Sequence, residues 1–122
     1  MKIFYSAFLG LFFLFSAAEA KELRFIEGLE DVPLMNGLIQ SVENTVSFGN
    51  EEARFVEVAL SSTKAGFKKV ESFYKESLPQ LGWIYQGTYN NTVVFYRDGE
   101  SLSIFKENTK PLEIRITVKN RL

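Results

Sequence analysis

The chain contains no cysteine and no histidine. The familiar Ser–His and Cys–His nucleophile arrangements are therefore excluded, as are zinc sites built from His and Cys. No disulfide can offset a small size, so the fold has to rest on its core. There is no phosphate-cradling Gly-rich loop and no dinucleotide fingerprint, so no cofactor is expected. Fourteen basic residues face 15 acidic ones, net −1. That balance lacks the basic excess of a dedicated nucleic-acid binder, and no nucleic-acid partner is expected. The acids offer two adjacent pairs, Glu30–Asp31 and Glu51–Glu52. Neighbouring side chains diverge on any regular element, so neither pair makes a two-carboxylate site by itself. Calcium-loop spacing is missing as well. Both pairs read as solvated loop charge.

The first 20 residues stand apart. Lys2 is followed by an apolar run from Ile3 to Phe15 and by the small-x-small sequence Ala18-Glu19-Ala20. This is the pattern of a secretory signal peptide, cut before Lys21. The run is shorter than the roughly 20 residues of a membrane span, so no stable span is expected after cleavage. Removing 20 of 122 residues leaves 102, enough for one domain. Those 102 residues hold twelve aromatics, enough large side chains for an ordinary core. Charge is uneven along them. Glu22 to Glu57 carries eight acids against two arginines, and Lys64 to Leu122 carries ten basic residues against six acids. The simple expectation is that the two halves attract each other in the fold; the sharper one is a dipolar surface that orients a partner.

Ser61 to Trp83 reads as the one long helix. Phe67, Val70, Tyr74, Leu78 and Leu81 recur at helical spacing and predict one apolar stripe. Glu71 precedes Lys75 by four residues, the better orientation for a surface ion pair. Ser61, Ser62 or Thr63 is expected to cap the start. Pro79 should loosen the last turn, and Gly82 suits the left-handed position past its end. Lys64, Lys68, Lys69 and Lys75 read as a solvated face, since Glu71 and Glu76 interrupt the field.

Strands are expected on both sides of this helix. Thr45–Phe48 and Arg54–Leu60 form a hairpin around Gly49-Asn50. Trp83–Gln86, Thr92–Arg97, Ser101–Lys106 and Leu112–Lys119 follow, with turns at Asn90-Asn91 and Asp98-Gly99. Leu112–Lys119 alternates cleanly, with one dry and one wet face. The expected fold class is α+β: an antiparallel sheet of five to six strands with the helix across one face, in a cystatin-like order. Residues 21–42, punctuated by Pro33 and Gly37 yet apolar, are expected to be an irregular arm packed on the domain at 43–122. If Leu102, Ile104, Ile114, Ile116 and the Val56 row meet the helix, then Phe55, Tyr96 and Phe105 share the opposite face. They are the candidate partner surface, unless the apolar Leu23–Leu38 arm covers them, which is the expected outcome.

Asp-Val-Pro-Leu-Met-Asn-Gly-Leu (Asp31 to Leu38), the Arg54–Glu57 strand and Phe-Tyr-Lys-Glu-Ser-Leu-Pro-Gln-Leu-Gly-Trp (Phe73 to Trp83) resemble a family of small exported alphaproteobacterial proteins of unassigned function. The resemblance covers most of the chain after Ala20. It implies a Gram-negative periplasm and carries over no active or binding residue. The expected role is a non-enzymatic binding or envelope-accessory module, docking a protein, a peptide or a small apolar ligand. The alternatives are a carboxylate-dependent hydrolase or glycan-acting enzyme, and a self-associating homo-oligomer.

Overall fold

The computed structural model describes residues 24–50 and 52–121; the expected signal peptide at 1–20 lies outside them. The strands are β1 (Phe25–Ile26), β2 (Leu29–Pro33), β3 (Ile39–Gly49), β4 (Arg54–Ser62), β5 (Ile84–Tyr89), β6 (Thr92–Arg97), β7 (Glu100–Asn108) and β8 (Leu112–Asn120). Helix α1 (Phe67–Ser77) and a 3-10 turn (Leu78–Leu81) lie between β4 and β5. β1 and β2 pair as a small sheet, and the other six form one antiparallel sheet in the order β3-β4-β8-β7-β6-β5. The α+β class is as expected: one helix with one main sheet. β8 joins the β3–β4 hairpin to the β5–β7 meander. Its alternation is the reason it can sit there: Leu112, Ile114, Ile116 and Val118 are buried, and the residues between them are not.

The register aligns the dry face across four strands. Val58 lies opposite Ile116, Ile116 opposite Ile104, and Ile104 opposite Val93. All four are fully buried, together with Val70, Tyr74 and Leu78 from the helical segment. The turns follow local chemistry. Asn90 and Asn91 both take positive φ, at 49° and 65°, as a two-residue hairpin turn requires. Asp98 does the same at 52° before Gly99.

The helix starts later than its periodicity suggests. Ser61 and Ser62 belong to β4, where Ser62 pairs with Leu112. The Ser62 hydroxyl oxygen accepts the N–H groups of Lys64 and Ala65 at 3.0 and 2.9 Å. A capping side chain is thus used to turn the chain off the strand, and the helix begins after Gly66 with no side-chain cap. Glu71 and Lys75 approach to 4.0 Å, as their spacing predicts. At the far end Pro79 sits in the 3-10 turn, and Gly82 closes it at φ 95°. The Trp83 N–H folds back to Leu78 O at 3.1 Å. Three residues per turn rotate Leu81 off the stripe, so it is exposed rather than core.

Of the stretch at 21–42, the described residues 24–42 are more regular than the punctuation suggests. β1 and β2 form a hairpin, and from Ile39 the chain is already in β3. The hairpin packs on the helix side, not on the opposite sheet face. Ile26, Leu29, Val32, Met35 and Leu38 join the same core as Val70 and Tyr74. The Tyr74 hydroxyl donates to Pro33 O at 2.7 Å. Burial pushes the Tyr74 phenol pKa up, so it stays a donor. A second clasp joins the Gln40 amide to the backbone N–H and C=O of Glu27, at 2.9 and 2.8 Å. Among the described residues the arm therefore leaves the aromatic sheet face uncovered, against expectation. Its apolar residues complete the main core because the helix side presents a continuous apolar surface for them to meet, whereas the apolar side chains of the opposite face are separated by polar ones.

Candidate functional site

The open sheet face is built in rows by the strand register. One row across the sheet runs Phe48, Phe55, Lys119, Ser101, Tyr96, Ile84. The next runs Val46, Glu57, Thr117, Ser103, Val94, Gly87, and a third includes Ala59, Arg115, Phe105 and Thr92. Phe55, Tyr96 and Phe105 therefore do share one face. They do not form one patch. Phe55 and Tyr96 are three strand spacings apart, about 14 Å, with Lys119 and Ser101 between them. Phe105 stands in a different row, between Arg115 and Thr92.

Phe55 and Tyr96 each have instead a neighbour that sequence reasoning missed. Phe48 stacks on Phe55 with ring centres 5.1 Å apart and planes 16° apart. Ile84 lies beside Tyr96 and is 65 % exposed, and Phe48 is 63 % exposed. The Arg121 guanidinium covers the Tyr96 ring at 4.3 Å. Alternation along β3 could have placed Phe48 on the Phe55 face, but only the hairpin register puts the rings in contact. Between the two apolar ends the face is mostly polar, with Phe105 the large apolar exception. Arg115 holds Glu107 at 2.9 Å and Glu57 at 3.4 Å, and the Thr117 hydroxyl donates to Glu57 at 3.0 Å. The Glu57–Arg115 pair links the acidic and basic halves of the chain.

A second constellation lies on the helix side at the end of the sheet. Arg54 grips Glu100 through Nε at 2.7 Å and Nη2 at 3.0 Å. Asp31, from β2, receives Arg97 Nη2 at 2.6 Å and Arg54 Nη2 at 3.4 Å. Arg97 also donates to Leu81 O at 3.1 Å. Burial opposes the charge on Asp31, but the Arg97 hydrogen bond and the two guanidinium charges outweigh it and hold its pKa below the usual value. The Glu100 hydrogen bonds hold Arg54 above its usual value. Arg54, Arg97 and Glu100 line an open cleft of about 880 Å³ with Asn50, Glu52, Asp98, Gly99 and Asn120. Asp31 is thus a half-buried ion-pair centre, not the solvated loop charge expected of it. Its neighbour Glu30 turns away and accepts the Gly28 N–H at 3.1 Å. No sequence signal joins positions 31, 54, 97 and 100; the hairpin docking and the sheet order bring them together.

This cluster suits anchoring better than catalysis. Two acids are matched to two arginines, Asp31 is held ionised by them, and a general acid needs the opposite shift. No group of three or more metal-ligating side chains occurs among the described residues. No helix among the described residues is long and apolar enough to cross a membrane. No family model, curated protein or solved structure is significantly similar to this chain.

Proposed function

We propose that this chain is an exported, non-enzymatic binding module of the Gram-negative periplasm, one of the small alphaproteobacterial proteins its motifs resemble. It docks an envelope protein or peptide on the open sheet face, with apolar anchors seated at the Phe48–Phe55 and Ile84–Tyr96 ends and polar groups meeting the Ser101–Ser103–Thr117 strip. The observation that carries this reading is the uncovered face itself. The helix and the hairpin are both spent on the other side of the sheet, which leaves large apolar side chains facing water at two sites on a polar ground. Exposed apolar side chains framed by polar ones are the composition of a partner surface.

The hydrolase reading has one observation in its favour, the cleft that gathers Glu100 beside Asp31. Their matched arginines speak for a structural role. Photo-crosslinking side chains at Ile84 and at Tyr96, introduced one at a time in cells that export the protein, test the binding reading. A discrete adduct with one envelope component at both positions is the expected result. Only internal links, or a ladder of abundant bystanders, would end it.

A further inference from the structure

The two edges of the main sheet are finished differently. At the β5 edge the chain covers its own backbone. The Tyr89 hydroxyl donates to Gln86 O at 3.0 Å, and Gln86 Nε2 donates to Ile84 O at 3.2 Å. A bulge between Tyr85 and Gly87 adds twist there. Capped carbonyls and bulges are how native sheets blunt an edge. The β3 strand has its own bulge, between Ser41 and Val46, and Gln40 at its start holds the Glu27 backbone, but among the described residues the stretch 46–48 has no such finish. From Ile39 to Gly49 there is no Lys, Arg or Pro, and the single acid, Glu43, falls inside the bulge. Among the described residues no side chain hydrogen-bonds to the backbone of Val46, Ser47 or Phe48.

The ladder fixes which backbone groups are free. Asn50 N–H donates to Ala53 O at 3.0 Å, closing the β3–β4 hairpin. Antiparallel alternation from that pair turns the N–H and C=O of Phe48 and Val46 toward β4 and those of Ser47 away from it. Val46 and Phe48 side chains stand on the open face, 44 % and 63 % exposed.

We propose that β3 pairs antiparallel with β3 of a second copy of this chain, about a twofold axis at Ser47. Ser47 and its symmetry mate exchange both backbone hydrogen bonds. Val46 then lies opposite Phe48 of the second copy, and Phe48 opposite its Val46. The axis runs through the sheet, so the two open faces merge on one side. Val46, Phe48 and Phe55 from each copy make one strip of six apolar side chains. The charge pattern selects this occupant. Asn44 to Gly49 carries no charge, so a twofold sets no like charges opposite each other, whereas a charged peptide would find no counter-charge there. The backbone pairing uses the β3 edge and draws in the Phe48–Phe55 end of the open face. It leaves Ile84 and Tyr96 free and does not rest on what the open face binds.

Sedimentation equilibrium of the protein recovered after expression, over a wide concentration range, tests this. A monomer–dimer equilibrium is expected. Val46→Lys, at an exposed position, sets two lysines within the apolar strip and is expected to raise the dimer dissociation constant at least about tenfold, with the dilute-limit Tm unchanged. Ser47→Pro removes only an outward N–H and is expected to give monomer. A protein that stays monomeric at every concentration overturns the proposal, and so does a dimer that Val46→Lys leaves unweakened. If Ser47→Pro fails to fold, the Val46→Lys result decides alone.

Discussion

The guanidinium of Arg97 lies over the Trp83 ring, with its central carbon 4.2 Å from the ring centre, while the same group donates to Asp31 at 2.6 Å. One side chain thus joins three pieces of chain: the residue that ends the helical segment, the end of β6 and the hairpin of β2. Asp31 is the only acid of the N-terminal hairpin in this contact, and it is 35 % exposed. The ion pairs there hold the hairpin against the sheet at the end remote from the Gln40–Glu27 clasp.

Asp31→Asn should therefore loosen this end of the hairpin without unfolding the domain. A cost of about 1 kcal/mol is expected, discounted for solvent at the cleft. Urea denaturation measures it, with an unchanged m-value as the sign that the hairpin still docks.

The same carboxylate sets a pH window. Its folded pKa lies below the ordinary value of 3.8. The stability it supplies is fully present above 3.8 and is lost as pH falls through the lower folded value. The stability gap between wild type and Asp31→Asn should be constant from pH 7 to about 5 and close between about pH 4 and 2. Paired denaturant curves across that range would show it. A gap that widens on acidification would contradict the ion-pair account.

Tyr74→Phe removes the donor to Pro33 O and leaves a buried carbonyl unpaired. About 1–2 kcal/mol of stability should be lost. The amides of β1 and β2 should then exchange faster than those of β8, because the lost bond tethers the hairpin and not the main sheet. Hydrogen exchange read residue by residue distinguishes this from uniform softening.

Gly82→Ala tests the chain reversal before β5. The φ of 95° is strained for any residue with a Cβ, and that Cβ would lie 3.2 Å from Arg97 Cδ. A loss of about 1–2 kcal/mol is expected from the backbone alone. If Arg97 is also pushed off Trp83, the indole fluorescence should shift with it.

The two faces of the sheet should respond oppositely to truncation. Ile116→Ala, fully buried between Val58 and Ile104, should cost about 2–5 kcal/mol. Phe105→Ala on the open face should stay within about 0.5 kcal/mol. Thermal melts of the two variants compare the faces directly. Equal losses would mean that the open face is covered.

Much of this architecture was legible in local signals. The 2.0 period of β8, the turn chemistry at Asn90-Asn91 and Asp98-Gly99, and the stripe Val70–Tyr74–Leu78 follow from short-range physics: pleat alternation, residues that tolerate positive φ, and helical spacing. They place Phe55, Tyr96 and Phe105 on one face from the sequence alone. The absence of His and Cys excludes by itself the Ser–His and Cys–His nucleophile arrangements and zinc sites built from those residues. What sequence could not supply is whatever depends on partners distant along the chain. Ser62 caps a turn and not the helix because Leu112, fifty residues on, claims it for a strand. The hairpin covers the helix side because that is where a continuous apolar surface exists for it to meet. Asp31 meets Arg54, Arg97 and Glu100 only after the sheet order is fixed. The Phe48–Phe55 stack, and the distance from it to Tyr96, are properties of register, which only the paired strands decide.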